Sequence, residues 1–212
     1  MTAAPASTRT LTLAFALVTS LFFMWGFSYG LLDILNRHFQ DTLGITKARS
    51  ALLQFAYFGA YFVTAMPAAA LAARRGYKAT ILLGLGLFAA GALLIIPATF
   101  AGNFTLFLVP FFIIASGLGC LETAANPYAT ILGDPARAAQ RLNLSQFFNG
   151  FGQAAGPWIG GMVVFAAASA TAGSDPVRYL YCAIAAVVLV LALVIWRTSM
   201  PEPAAIQVQS SD

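Results

Sequence analysis

The chain alternates between long apolar stretches and short breaks that carry charges, glycine or proline. A helix needs about 20 mostly apolar residues to cross a bilayer. Six stretches meet that length, at about 11–36, 50–73, 79–101, 104–132, 142–169 and 177–197. The breaks between them lie at 41–49, 74–78, 102–103, 133–135 and 173–176. The pattern predicts an all-α membrane protein with six transmembrane helices.

Composition supports a membrane location and argues against nucleic acid binding. Hydrophobic residues make up 60% of the chain and charged residues 8%, whereas an average soluble domain has about 25% charged residues. The net charge of +4 comes from basic residues scattered through the short breaks, which form no basic patch or basic helix. We therefore predict contact with membrane lipid and no nucleic acid partner.

The sequence offers little for catalysis or metal binding. Cys120 and Cys182 both fall in predicted spans and are interpreted as small packing residues rather than a disulfide pair. His38 is the single histidine, and its place at a predicted helix end indicates an interfacial residue rather than a ligand. We predict no metal, no cofactor, no catalytic residues and no enzymatic activity.

The breaks also predict how the chain lies in the membrane. The first apolar stretch is longer than the core of a signal peptide, so it is interpreted as the first span. With the N-terminus inside, seven basic residues lie on the inner side and four on the outer side, which favours cytoplasmic termini. We predict a multi-pass protein of the plasma (inner) membrane, with a disordered segment at 1–10, a helical bundle at 11–200 and a polar tail at 201–212.

Two segments of the chain echo each other. Gly30-Leu-Leu-Asp33 in the first span is similar to Gly119-Cys-Leu-Glu122 in the fourth, and Gln54-Phe55 is similar to Gln146-Phe147. Because three spans make up each unit, the two units would have opposite orientations in the membrane. Inverted repeats of this kind are typical of secondary transporters. The sequence therefore predicts two inverted three-helix repeats, with the two acids on equivalent first helices.

Asp33 and Glu122 are the acids that fall inside predicted spans. A carboxylate in a bilayer costs about 2.5–3.5 kcal/mol on insertion scales and usually faces a polar cavity. The two residues are therefore candidates for proton transfer and solute binding, and Asn126, one turn beyond Glu122 on the same face, joins them as a solute-binding candidate. Alternatively, Asp33 caps or solvates a helix end, and Glu122 pairs with an arginine or a backbone donor.

A second polar line runs along the fifth predicted span, formed by Asn143, Gln146, Asn149 and Gln153. Carboxamides both donate and accept hydrogen bonds, which suits the hydroxyls of a sugar. The alternative is hydrogen bonding between helices. We predict that Gln146 and Asn149 bind solute, and that Asn143 and Gln153 serve helix contacts.

Aromatic side chains near the polar positions could stack on a sugar ring; they are Trp25, Phe27, Tyr29, Tyr57 and Tyr61. Tryptophan and tyrosine also favour membrane interfaces for unrelated reasons. Trp25 and Tyr29 share a predicted helix with Asp33, at spacings of four. We therefore predict solute contact for these two residues alone.

Three motifs resemble a known family. They are Gly117-Leu-Gly-Cys-Leu-Glu-Thr-Ala-Ala-Asn-Pro127, Arg141-Leu-Asn-Leu-Ser-Gln-Phe-Phe-Asn149 and Phe22-Phe-Met-Trp-Gly26. From about residue 20 to 196 the chain resembles the fucose:proton symporter family of the major facilitator superfamily. The resemblance implies proton-coupled sugar uptake by alternating access. It also implies roles for Asp33 and Glu122 in proton coupling and sugar binding, and sugar contacts for Gln146 and Asn149.

The family has twelve spans in two halves, and this chain resembles the first six. The resemblance therefore implies half of a major facilitator fold, which needs a second six-helix bundle. Our leading hypothesis is a proton-coupled transporter of a hexose or 6-deoxyhexose, acting as an N-terminal half or as a homodimer of halves. The alternative is a non-transporting half that binds sugar or assembles with a separate six-helix partner.

Overall fold

Five helices follow one another along the described parts of the chain in the computed structural model, which are residues 8–167 and 176–201. They are α1 (Thr8–Leu43), α2 (Lys47–Ala101), α3 (Phe104–Ile131), α4 (Ala138–Ala167) and α5 (Pro176–Arg197). A single 3₁₀ turn, Pro135–Arg137, precedes α4. No strand occurs in these ranges, so the structure there is all-helical, as predicted. Three predicted segments lie mostly outside the described residues: the disordered segment at 1–10, the break at 173–176 and the polar tail at 201–212.

Helix α2 bends sharply at Gly76. Its 55 residues would extend roughly 80 Å if straight, at about 1.5 Å per residue, which far exceeds a hydrocarbon core of about 30 Å. Gly76 adopts φ 84° and ψ 171°, a conformation that is accessible to glycine because it has no Cβ. The bend divides α2 into a first limb, residues 47–75, and a second limb, residues 77–101. The break predicted at 74–78 is thus a bend within α2.

Side-chain caps set two of the other helix boundaries. Thr46 precedes α2, and its side-chain oxygen accepts a hydrogen bond from the Arg49 backbone N–H at 3.2 Å. Gly102 ends α2 in the left-handed conformation, with φ 58°. Asn103 then accepts from the Thr105 N–H at 3.0 Å and starts α3. Such caps satisfy backbone groups that a helix leaves unpaired at its ends.

Arg141 closes the turn between α3 and α4. Its guanidinium donates hydrogen bonds to the backbone carbonyls of Ala129 at 3.1 Å, Asp134 at 2.9 Å and Thr130. The last carbonyls of a helix lack partners within the helix, and a positive charge there also opposes the negative end of the helix dipole. The sequence indicates an inner-side charge at this position, and the structure adds that the charge caps α3.

Glycines allow α1 and α4 to pack backbone against backbone. A Cβ on Gly26 would clash with the backbone carbonyl of Asn149, and a Cβ on Gly152 would clash with that of Phe23. Small residues of this kind are how helices approach closely inside a membrane. The resulting contact makes α1 and α4, which are distant in sequence, neighbours along much of their lengths.

The second limb of α2 packs against both α3 and α5. It meets α3 closely, since a Cβ on Gly84 would lie 2.8 Å from the Gly117 carbonyl oxygen. It meets the end of α5 through Lys78, whose Nζ donates to the carbonyls of Trp196 at 3.0 Å and Thr198 at 2.7 Å. The three helices α2, α3 and α5 therefore form one packed group beside the α1–α4 pair.

Four of the helices are long and apolar enough to cross a membrane, as judged by length and composition within the described residues; they are α1, α2, α3 and α5. Helix α4 is not among these four, and its sequence includes several glycines and carboxamides. Large apolar side chains project from the surface of the bundle, among them Phe55, Phe62 and Met66 on the first limb, which are 78%, 87% and 82% exposed. The division into six spans and two repeats stays a prediction.

Candidate functional site

An open cleft of about 480 Å³ lies between the first limb of α2 and helix α3. The cleft is lined by Tyr61, Phe62, Ala65, Gly119, Glu122, Thr123, Asn126 and Pro127. The α3 residues recur every three or four positions, which places them on one face of that helix. The cleft therefore offers one carboxyl, one carboxamide and two hydroxyl-bearing side chains within an otherwise apolar wall.

Gly119 lets the two walls of the cleft approach each other. A Cβ at this position would lie 2.6 Å from Thr64 Oγ1 and 3.7 Å from the Tyr61 Cα. Thr64 Oγ1 is itself held by a 2.7 Å hydrogen bond to the Ala60 carbonyl, so it cannot move away freely. The missing side chain thus brings Glu122, one turn further along α3, close to Tyr61.

Glu122 is half-buried on the cleft wall. Its carboxyl interacts electrostatically with the phenols of Tyr57 and Tyr61 on α2. Across the two described ranges, the one ion pair is the exposed Arg37–Asp41 pair on α1, so Glu122 has no basic partner there. An acid in this setting is available to bind a proton or a solute hydroxyl.

Asn126 and Gln146 connect α3 to α4 at the cleft. Gln146 Nε2 donates a hydrogen bond to Asn126 Oδ1 at 3.2 Å. Asn126 is half-buried and lines the cleft, while Gln146 is exposed. The two carboxamides, predicted separately from the sequence, therefore form one polar edge next to Glu122.

Asn149 lies deeper, between α4 and α1. The residue is 6% exposed, and its Nδ2 donates to the Phe22 carbonyl at 3.1 Å. Its Oδ1 accepts from Gln153 Nε2 at 2.7 Å. Both ends of this carboxamide are engaged in helix contacts, and its predicted contact with a sugar stays a prediction.

The two predicted aromatic residues lie in different surroundings. Trp25 is half-buried and lies beside the Tyr61 hydroxyl, but it is not one of the residues that line the cleft. Tyr29 is 41% exposed, and its ring lies 6.4 Å from the ring of Tyr57 and 6.1 Å from that of Phe58. Neither Tyr29 nor Tyr57 lines the cleft, so the predicted solute contact of Tyr29 stays a prediction.

Asp33 lies outside the cleft that Glu122 lines. It is exposed on α1, one helical turn beyond Tyr29. No hydrogen bond or ion pair involves its carboxyl within residues 8–167 and 176–201. The structure therefore brings together Glu122, Asn126 and Gln146, places Trp25 behind Tyr61, and leaves Asp33 apart from them.

Tyr61 is a cleft residue that the sequence offers as an aromatic candidate but for which it predicts no solute contact. Its ring lines the cleft, yet the sequence favours Trp25 and Tyr29 because those two share a helix with Asp33. The similarity between the two units of the sequence could have indicated Tyr61. The offset that relates Gln54 to Gln146 also relates Tyr61 to Gln153, so Tyr61 occupies the place of a polar residue in the other unit.

A carboxyl and carboxamides on an open cleft, set among helices of membrane-spanning length, are features typical of membrane transport proteins. The chain belongs to the Major Facilitator Superfamily, whose family model matches residues 13–211. This finding confirms the superfamily that the sequence motifs suggested.

Curated relatives include transporters of two kinds. The chain is 43% identical to a glucose/galactose transporter of Brucella abortus (strain 9-941) over 180 residues, which cover 84% of this chain and 44% of that protein. It is 49% identical to the L-fucose-proton symporter of Escherichia coli (strain K12) over 144 residues, covering 68% of this chain and 33% of that protein. The chain therefore spans less than half the length of these relatives.

Solved structures support the same fold. The crystal structure of the transporter FucP in the outward conformation matches with a TM-score of 0.75 and 39% identity, covering 91% of this chain and 51% of that one. A xylose symporter structure, XylE with a bound sugar analogue, matches with a TM-score of 0.70 at 15% identity, which indicates a shared fold alone. The fold of this chain is that of about half a major facilitator protein.

Proposed function

We propose that this chain is half of a proton-coupled transporter for a hexose or 6-deoxyhexose that works by alternating access. The observation that carries the proposal is the placement of Glu122 on an open cleft beside Asn126, whose carboxamide is bonded to Gln146. Relatives described as an L-fucose-proton symporter and a glucose/galactose transporter support this substrate class.

The proton is the coupling ion in this proposal, and no cofactor takes part. Glu122 is suited to carry the proton because it is half-buried and has no basic partner in the described ranges. A carboxyl in such a place is neutralised by a proton rather than by a salt bridge. Asp33 is proposed as a second proton carrier. It lies one helical turn beyond Tyr29, whose ring contacts that of Tyr57.

The sugar binds along the polar edge of the cleft. Asn126 and Gln146 each keep unused donor or acceptor capacity after their mutual hydrogen bond, since a carboxamide offers two N–H groups and two lone pairs. Glu122 accepts from a sugar hydroxyl through a carboxyl oxygen, which keeps acceptor capacity when the group carries the proton. Trp25 is proposed to offer the sugar an apolar ring face. Asn149 and Tyr29 are the remaining proposed sugar-binding residues.

Six spans in two inverted repeats account for the helix packing. Counting the limbs of α2 separately gives six helices, with cytoplasmic termini in the proposed orientation. Gly30 on α1 packs against Gln153 of α4, and Gly119 on α3 packs against Tyr61 of the first limb. These are the two equivalent pairs of an inverted repeat, because each joins the first helix of one unit to the second helix of the other.

A second six-helix bundle would complete the cleft. Its open side lies next to Phe62, which is 87% exposed, and the relatives are about twice as long as the matched region. The second bundle is either another part of the same transporter or a second copy of this chain. Two copies related by a two-fold axis along the membrane normal would have the same orientation.

Uptake of labelled sugar tests the proposal. The purified chain is reconstituted in vesicles, and entry of tritiated D-galactose and L-fucose is measured with an inward proton gradient. Where two copies of the chain supply both bundles, the proposal predicts accumulation of at least one sugar, lost in Glu122→Gln and retained in Asp41→Asn, a matched change at an exposed acid on α1. Entry that ignores the gradient, or that is equal in parent and Glu122→Gln, would refute proton coupling through Glu122.

The second candidate function is sugar binding without transport, and the open side of the cleft favours it. A half with one cleft wall would bind sugar, or assemble with a separate six-helix partner, without moving sugar across the membrane. It predicts saturable binding of D-galactose or L-fucose to the purified chain together with no accumulation in vesicles. Gradient-driven accumulation by the chain alone would exclude it.

A further inference from the structure

The Tyr61 phenol on the cleft wall lacks a hydrogen bond in the described parts of the chain. Its ring lines the cleft from the first limb of α2, while its hydroxyl oxygen is buried and makes no hydrogen bond to any described residue. Trp25 and Tyr57 lie close enough to interact with the hydroxyl electrostatically, but not in hydrogen-bond geometry. A buried donor without a partner is unfavourable, which points to a partner that arrives with a ligand.

Glu122 lies on the facing wall and interacts electrostatically with the same phenol. A phenol donates one hydrogen bond, and a carboxylate accepts but does not donate. A sugar hydroxyl does both, so it fits between these two groups. The cleft-lining residues on α2 are Tyr61, Phe62 and Ala65, and of these three Tyr61 carries a hydroxyl.

We propose that Tyr61 and Glu122 hold one sugar hydroxyl between them, with Tyr61 donating to its oxygen and that hydroxyl donating to Glu122. In this arrangement the Tyr61 side chain swings about its Cα–Cβ bond, which carries the hydroxyl from its buried position to the cleft that the ring lines. This assignment rests on the proposed function, since it requires a sugar at the site. It makes Tyr61 a specificity-determining residue, because a sugar without that hydroxyl would leave both protein groups unpaired.

Tyr57 offers a matched control. Its hydroxyl is also buried without a partner in the described parts of the chain, and its ring lies 5.6 Å from the ring of Tyr61. Tyr57 does not line the cleft, however. Removing its hydroxyl therefore tests whether loss of any buried phenol oxygen in this region affects binding.

The experiment measures equilibrium binding of tritiated D-galactose and L-fucose to the full chain in lipid nanodiscs. Tyr61→Phe should bind the better of the two sugars about three- to tenfold more weakly than the parent, the effect of one lost hydrogen bond. Tyr57→Phe should bind within about twofold of the parent, as expected for a group that does not touch ligand. Thermal unfolding of both variants without sugar should occur at the parent's midpoint or above it, because each change removes a buried hydroxyl that has no hydrogen-bond partner.

Deoxy analogues of the bound sugar identify the shared hydroxyl. For one mono-deoxy analogue, parent and Tyr61→Phe should bind equally, because the hydroxyl that Tyr61 contacts is missing. The assignment would be overturned if the ratio of the parent's affinity to that of Tyr61→Phe were the same for the sugar and for every analogue. Equal binding of the sugar itself by parent and Tyr61→Phe would also overturn it. Either result would leave the proposed function standing. Absence of sugar binding by the parent would overturn the proposed function and this assignment together.

Discussion

Gln146 Nε2 donates a hydrogen bond to Asn126 Oδ1 at 3.2 Å, across the contact between α4 and α3. The bond joins two positions that are not adjacent in the sequence, at the edge of the cleft that Glu122 lines. It fixes the orientation of each carboxamide and leaves the remaining N–H groups and lone pairs available for a ligand. The polar edge is therefore preformed rather than assembled by a sugar.

Truncation of either carboxamide should weaken sugar binding. Asn126→Ala and Gln146→Ala should each reduce affinity for tritiated D-galactose or L-fucose by about three- to tenfold, since each loses roughly 0.5–1.5 kcal/mol of hydrogen bonding. The double variant should lose less than the product of the single effects, because each truncation already frees its partner. Equilibrium binding to the purified chain measures all four forms.

Asn143→Ala is the control for that series. Asn143 is an exposed carboxamide one turn before Gln146 on the same helix, and it does not line the cleft. Its truncation should leave affinity within about twofold of the parent, as expected for a surface substitution. Fully multiplicative effects of the Asn126 and Gln146 truncations would contradict a preformed edge.

The close approach at Gly119 should be sensitive to a single methyl group. Gly119→Ala places a Cβ 2.6 Å from Thr64 Oγ1, so one wall of the cleft has to shift, at a cost of about 1–3 kcal/mol for overpacking. Thermal unfolding in detergent should show a lower midpoint, and sugar affinity should fall with it. Adding Thr64→Ala removes the clashing oxygen and should restore most of the midpoint.

Gly59→Ala is the matched control for that comparison. Gly59 lies on the first limb of α2, and a Cβ there meets no atom within 4 Å. Alanine favours a helix over glycine by about 1 kcal/mol, so this variant should be as stable as the parent or slightly more stable. Equal midpoints for the Gly119→Ala and Gly59→Ala variants would show that α2 and α3 are further apart than described.

Arg141 should contribute to stability as a helix cap rather than as a surface charge. Arg141→Ala leaves the carbonyls of Ala129, Thr130 and Asp134 without its hydrogen bonds, and bonds to a charged group are each worth about 1.5–3 kcal/mol. Allowing for water that replaces the guanidinium, we expect a loss of about 1–3 kcal/mol in unfolding free energy.

Arg137→Ala removes a neighbouring inner-side charge that is exposed. Chemical denaturation should place this variant within about 0.5 kcal/mol of the parent, as is usual for surface substitutions. A similar loss of stability for both arginine variants would indicate that charge on the inner side matters, rather than the cap on α3.

The sequence predicts the helical elements well because a bilayer imposes strict length and polarity on them. The breaks at 74–78 and 102–103 fall where Gly76 bends α2 and Gly102 ends it. The acid and carboxamides of the cleft are equally visible, since polar groups are rare in apolar spans. Local pattern is sufficient for these features.

The hydrogen-bond partner of each polar side chain depends on how the helices pack, and the sequence pattern alone could not predict it. Asn149 and Gln146 share one polar line, yet Gln146 bonds to α3 at the cleft and Asn149 bonds to the Phe22 carbonyl of α1. Which face meets which helix depends on where glycines let backbones approach, as at Gly26. Tyr61 was underestimated for the same reason, because its neighbour Glu122 comes from α3.

Sugar-driven proton movement is the most direct test of the central claim, that Glu122 couples a proton to sugar on this cleft. Vesicles carrying the chain and no ion gradient are mixed with D-galactose or L-fucose, and a pH-sensitive dye records the outside pH. We predict that sugar makes the outside more alkaline for the parent and for Asp41→Asn, and that Glu122→Gln abolishes the change. No pH change in the parent, or an equal change in Glu122→Gln, would contradict the account.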